Sequence, residues 1–342
     1  GEVATHLGWF DVDAAVRDED ATRAEAISLA RSLTGVRDRG GRVILVGDWV
    51  SFGDALRVSD WLRSAFVSEF GAPIPVYDDI VGAALSTQLG NMATDQRPGA
   101  SAPFTSGPDG EGNIYHGWIL TTQGATAGHQ IYVSVSRNFG VTWTSHLVYA
   151  SPPATTLNHN FSWLAVDAAG NVYTTWSNDH DVYVSASTDI KTSTSPTWSE
   201  PVRVSNGPMT KTCSMPMLEA GSAGRIVFGF YGSSAAGSQP PESDGAQWQY
   251  FQVRSNNALD AVPLFEQVQV SDHVMHTGRI CEDGINCDCC RDLLECQELA
   301  IDPRDGASLL SYGGAGGTYI TKQVGGPSAL AGHTVVNPGT CA

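Results

Sequence analysis

The densest chemistry in this 342-residue chain is a run of five cysteines, Cys281, Cys287, Cys289, Cys290 and Cys296. Their spacing lacks the Cys-x2-Cys pairs that wrap a tetrahedral zinc, and adjacent thiols serve one metal poorly. Disulfides in a loop of a secreted protein are therefore the favoured reading, with Cys213 and Cys341 as further partners and no metal assigned. Seven cysteines is an odd number, so at least one thiol stays unpaired or open to a second chain. His273, His276 and the pair Glu282-Asp283 could hold a cation. Calcium is the one cofactor left open, although no Asp-x-Asp-x-Asp-Gly ligand loop is present. Trp163, Tyr173 and Trp176 could form a sugar platform, but core packing is the better account of large rings on alternating strands.

The charge balance narrows the partners. The net charge is −17, and the 19 basic residues are 16 Arg and 3 Lys. That excludes nucleic acid or anionic lipid as a main partner, since phosphate binding needs a basic surface. No apolar run reaches the roughly 18 residues of a membrane span. Such a self-repelling surface fits an extracellular or cell-surface protein. The chain begins at Gly1 without an initiator Met or signal peptide, as expected after a processing site or at an arbitrary start.

Two unlike segments must position these groups. In residues 1–90, Asp18 to Leu33 and Ser51 to Phe70 have helical apolar spacing, while Arg42 to Gly47 and Ala72 to Tyr77 read as buried strands. The alternation predicts a small α/β domain with parallel strands. No Gly-x-Gly-x-x-Gly or Walker loop supports nucleotide binding. Arg23-x-x-Ala26-x-x-Leu29-Ala30, Val43 to Gly47, Phe52-x-Asp54-Ala55-Leu56 and Ala72-Pro73-Ile74 follow in order. This series resembles the cell-wall-binding repeat type 2 of bacterial surface proteins, and the resemblance implies a cell-wall polymer as partner. Residues 91–102 are polar, rich in Gly, Pro, Gln and Asn, and read as a linker.

Residues 103–342 are repetitive. Asp109-Gly-Glu-Gly112-Asn113-Ile114-Tyr115-His-Gly-Trp118 returns as Asp167-Ala-Ala-Gly170-Asn171-Val172-Tyr173-Thr-Thr-Trp176. Each copy is a turn followed by a period-2 strand. Weaker copies lie at Gly224 to Phe230 and at Leu299 to Tyr312, giving about four units of some sixty residues, within the range of propeller blades. Within the first unit, Ile131 to Ser136 alternates, turns at Asn138 to Gly140 and restarts at Thr142-Trp143. The second has Ser187, Asp189, Thr197 and Trp198 in the same roles. Here Asn138 or Asp189 should hold the turn by accepting backbone N–H bonds.

The run Ser136-x-Asn138-x-Gly140-x-Thr142-Trp143 resembles the Asp-box (BNR) motif of sialidase-type β-propellers, with Asn in place of Asp. The resemblance implies a mainly β, Asp-box propeller of a six-bladed family, preceded here by the α/β segment. It also implies an arginine clamp for a carboxylate and an activated tyrosine, for which Arg279, Arg291 and Tyr312 are the available candidates. Arg279 and Arg291 read better as salt-bridge partners in an acidic loop, and Tyr312 aligns with Trp118 and Trp176. Because the catalytic set is incomplete, the expectation is a non-catalytic binding or structural module, on extracellular glycan or cell-wall polymer, with self-association into a surface assembly. The alternative is an exo-acting glycoside hydrolase of sialidase type.

Overall fold

In the computed structural model, the described residues are 87–94 as a strand and most of 113–336; the breaks fall at 121–127, 139–140, 154, 156, 158–161, 179, 208–209, 236–244, 281–292, 294–296 and 315. The α/β segment expected within residues 1–90 lies, up to residue 86, outside the described residues, as do Gly140, Arg291, the five clustered cysteines and Cys341.

The chain is mainly β, and no helix occurs among the described residues. The first sheet runs β1 (Thr87–Thr94), β2 (Ile114–Leu120), β3 (Gln130–Ser136), β4 (Thr144–Ala150) in simple up-and-down order. Its first strand falls where the sequence predicts the end of the α/β segment and the start of the linker, so this sheet begins before residue 103. The second repeats the order with β5 (Trp163–Val166), β6 (Val172–Ser177), β7 (Val182–Ser187) and β8 (Val202–Arg203). The third is β9 (Thr212–Ala220), β10 (Ile226–Ser233), β11 (Gln247–Ser255) and β12 (Glu266–Gln269), with β13 (His276–Thr277) also on β11. The fourth has β14 (Glu298–Ile301), β15 (Ser308–Gly314) and β16 (Gly317–Lys322); β17 (Gly326–Pro327) and β18 (Thr334–Val335) form a short ribbon. β1 packs on β5, β5 on β9 and β9 on β14, so the first strands of successive sheets adjoin. That is the arrangement of propeller blades, with the first strand of each innermost.

The same residues recur because each blade solves one packing problem. The second and third strands of every blade place two aromatic rings directly opposite each other: Trp118 and Tyr132, Trp176 and Tyr183, Phe230 and Phe251, Tyr312 and Tyr319. Their ring centroids are 4.5, 6.2, 5.9 and 6.0 Å apart, all stacked. Trp118 and Trp176 are buried, and Tyr149 of the first blade stacks on Trp176 of the second at 5.3 Å. The turn entering each second strand also repeats. Gly170, Gly224 and Gly306 have φ of +81°, +72° and +73°, a region glycine enters without steric cost.

Polar latches join the blades. Asp167 accepts from the Tyr173 hydroxyl at 2.7 Å and from the Gly224 amide at 3.1 Å, tying the second blade to the first turn of the third. In the first blade Asn113 donates to the Lys191 carbonyl at 2.8 Å, and Arg137 donates to the carbonyls of Ile190 and Ser193.

Both Asp-box-like turns are built as the sequence requires. Asn138 Oδ1 accepts the Thr142 amide at 2.8 Å and the Ser136 hydroxyl at 3.1 Å. Asp189 accepts Ser187 Oγ at 2.9 Å, the Thr197 amide at 3.0 Å and Thr197 Oγ1 at 3.1 Å. Trp198 packs, partly buried, on the cluster of Tyr115 and Leu164, and Trp143 is partly buried as well. Burial acts to raise the Asp189 pKa, but the Ser187 and Thr197 hydrogen bonds outweigh it and hold the carboxyl below its ordinary range. A depressed folded-state pKa contributes stability above the unfolded value, lost as pH falls through the folded one. Asp189→Ala is therefore expected to cost about 1 kcal/mol at neutral pH, with the gap to wild type closing in acid. Urea melts at neutral and strongly acidic pH check this.

Candidate active site

The innermost strands carry the one carboxyl among the described residues that its surroundings push above its ordinary range. On β9, Met215 and Met217 both pack with Leu299, Leu310 and Tyr312 of the fourth blade, and Glu219 follows on the same face as Met217, two residues on. Glu219, opposite Val227, thus faces the seam between the third and fourth blades. Burial, and then the negative charge of Glu298 at the start of β14, push the Glu219 carboxyl up to about 7, against a backbone hydrogen bond from Ala220. The two carboxyls stand on adjacent innermost strands in unlike environments, Glu219 the more buried and Glu298 exposed, with the charge of Glu298 acting on Glu219. Neither stands in a motif, and the sequence did not single them out.

A bulge shapes this seam. β9 pairs Met217 with Gly229 but Ser214 with Tyr231, so Met215 and Pro216 together face one residue of β10. Met215 has φ +56°, a left-handed conformation unusual for a residue with a side chain, and Pro216 has no N–H to give to a ladder. The distortion leaves the Met215 carbonyl to accept Gln297 Nε2 at 2.6 Å across the seam. Bulges of this kind re-aim groups beside functional sites.

Polar atoms remain unsatisfied there. Gln297 Oε1 and the Tyr250 hydroxyl are buried without a hydrogen-bond partner among the described residues. Tyr250 is wedged between Tyr231 at 4.7 Å and Tyr312 at 4.3 Å, and burial raises its hydroxyl pKa well above the ordinary value. Buried orphans are rare because each costs about 1–3 kcal/mol. A titrating carboxyl and its charged neighbour along one seam constitute a site able to move a proton.

The residues singled out in the sequence lie differently. Tyr312 is buried, with its hydroxyl on Thr321 Oγ1 at 2.9 Å, so it is a core ring and not an accessible nucleophile. Arg279 is exposed, and its carbonyl meets His276 Nε2 at 3.1 Å. Among the other arginines, Arg203 pairs with Asp181, Arg254 with Glu266 and Arg304 with Asp302, while Arg225 donates to the Ser328 carbonyl. None of these bonds reaches Glu219, and no arginine clamp forms among the described residues. Cys213 is buried as a free thiol on the face toward the second blade, not a disulfide partner; burial pushes its pKa far up, which leaves it inert. His273 bonds Asp272 and Tyr319, and no group of three His, Cys, Asp or Glu among the described residues could hold a metal. Trp176 and Tyr173 are core rings.

No family model and no curated protein matches the chain. Solved structures do. The endo-arabinanase of Bacillus licheniformis matches at 10% identity over 62% of this chain and 69% of that one, TM-score 0.36. The α-L-arabinanase of Penicillium chrysogenum matches at 14% identity over 69% and 61%, TM-score 0.40. The α-L-arabinofuranosidase of Fusarium graminearum matches at 12% identity over 62% and 59%, TM-score 0.36. The chain thus spans less than two thirds of the length of the latter two. These three structures are named as arabinanases and an arabinofuranosidase, which runs against the expected non-catalytic binding or assembly module, and that expectation is withdrawn.

Proposed function

We propose that this chain is a glycoside hydrolase acting on extracellular glycans, with Glu219 as proton donor and Glu298 as its partner carboxylate. The observation that carries the reading is the Glu219 carboxyl, raised to about 7 at the seam of two innermost strands beside a second carboxyl. Glycosidic cleavage by two carboxyls needs one that stays protonated near neutral pH and one that is charged, and unlike environments separate the two. Glu219 gives its proton to the glycosidic oxygen as the C–O bond breaks, while Glu298 stabilises the positive charge growing on the sugar ring; a water then bonds the anomeric carbon and gives a proton back to the Glu219 carboxylate.

The substrate class is a neutral glycan. A sialoside needs cations for its carboxylate, and Arg137, Arg203, Arg225, Arg254 and Arg304 are engaged elsewhere. A panel of linear arabinan, aryl α-L-arabinofuranoside, other neutral aryl glycosides and a fluorogenic sialoside tests the reading. Release of sugar from a neutral member, lost in Glu219→Gln, is the expected result. Inertness toward every neutral member, or turnover of the sialoside alone, contradicts it. Rates are expected to fall as pH rises past about 7, because the donor then loses its proton.

A further inference from the structure

The four aromatic residues Tyr231, Tyr250, Tyr312 and Tyr319 do more than fill the third and fourth blades. They form one continuous series, with ring centroids 4.7, 4.3 and 6.0 Å apart, running from fully buried Tyr231 and Tyr250 to partly exposed Tyr319. At the outer end the Tyr319 hydroxyl meets His273 Nε2 at 3.1 Å, and His273 Nδ1 meets Asp272 Oδ1 at 2.5 Å. The carboxylate accepts from Nδ1–H, which leaves Nε2 as the acceptor of the tyrosine proton. The His273 ring also stands edge-on to Tyr319 at 5.0 Å.

We propose that this series carries one-electron oxidising equivalents out of the core, and that Tyr319–His273–Asp272 traps them as a neutral tyrosyl radical at the surface. The oxidant is a small inorganic radical of the azide or carbonate class. It takes one electron from an aromatic ring of the core and is reduced to its anion. Electrons then pass inward from ring to ring, until the vacancy reaches Tyr319. There the phenolic proton moves from Oη to His273 Nε2, giving the neutral radical and an imidazolium that Asp272 neutralises.

The hydrogen bonds give this transfer a direction. Oxidised phenols are strongly acidic and are stabilised by a base that takes the proton. The buried Tyr250 hydroxyl has no partner among the described residues, and Tyr312 bonds a threonine hydroxyl, whereas Tyr319 faces an imidazole. What the route protects is also in place. Met215, Met217 and Met275 pack in the same cluster as Tyr231, Tyr250 and Tyr312, and thioethers are readily oxidised to sulfoxides.

Pulse radiolysis of the full chain with azide radical tests this by two readouts: the paramagnetic resonance signal of the tyrosyl radical and the sulfoxide content of those methionines by mass spectrometry. Tyr319→Phe is expected to lose most of the radical signal and to raise sulfoxide severalfold. His273→Gln keeps the rings but slows formation of the neutral radical severalfold. Tyr312→Phe, which interrupts the series, raises sulfoxide while Tyr319 itself remains. Tyr183→Phe, outside the series, changes neither readout. Unchanged signal and sulfoxide in natively folded Tyr319→Phe and Tyr312→Phe, checked by near-ultraviolet dichroism, would overturn the proposal.

Discussion

Glu219→Gln is expected to lower kcat on a neutral glycoside by about 10²–10⁴-fold, the usual worth of a positioned proton donor, while leaving KM little changed. Glutamine keeps the volume and a hydrogen-bonding head but cannot give up a proton at the glycosidic oxygen. A second consequence distinguishes this from general damage. The folded-state pKa of Glu219 is raised, so the group contributes stability below its unfolded value, and that contribution disappears as pH rises through about 7. Above that pH the wild type must hold a charged carboxylate in the seam beside Glu298. Glu219→Gln removes that burden and should melt at a higher temperature than wild type in mildly alkaline buffer, with little difference in mild acid. Loss of turnover with unchanged or higher stability is the signature of a functional residue kept at a structural cost. Calorimetry on either side of neutrality, with steady-state kinetics, checks both halves.

Trp176→Ala is expected to be the most destabilising single change in the second blade, at about 3–5 kcal/mol. The indole is buried, stacks on Tyr183 of its own blade and on Tyr149 of the first, and packs with Ile119, Ile131 and Leu157. Its removal opens a cavity where two sheets meet, and neither sheet can collapse without breaking the other's strand register. Trp176→Phe should recover much of the loss, because a smaller ring keeps the stack. Chemical denaturation of the three proteins measures this. A loss under 1 kcal/mol for the alanine variant would mean that the blades are not wedged as described.

These two residues also show what could be read in the chain beforehand. Trp176 was legible because an alternating strand following a glycine turn repeats at Trp118, and the fourth copy gives Tyr312. Period-2 pattern and turn chemistry are local, and the propeller unit is local too. The Asn138 and Asp189 turns were legible for the same reason, with each acceptor and donor a few residues apart. Glu219 was not. Its segment, Thr212 to Ala220, holds Pro216 and a bulge at Met215, so the strand loses its alternation in the middle. What perturbs the carboxyl is burial and Glu298, nearly eighty residues away, and neither is a property of neighbouring sequence. Tyr312 misled in the opposite way. A tyrosine suggests a nucleophile, yet its strand position already aligned it with Trp118 and Trp176, and the structure pairs it with Tyr319 as another core ring.

The most direct measurement is the titration of Glu219 itself, followed by carboxyl NMR in protein labelled at glutamate side chains and assigned by Glu219→Gln. The resonance should titrate near 7 and move toward the ordinary glutamate range in Glu298→Gln, where the second negative charge is gone. A Glu219 carboxyl that titrates like a solvent-exposed glutamate, indifferent to Glu298, would contradict the shared acid pair and remove the basis for hydrolysis at this seam.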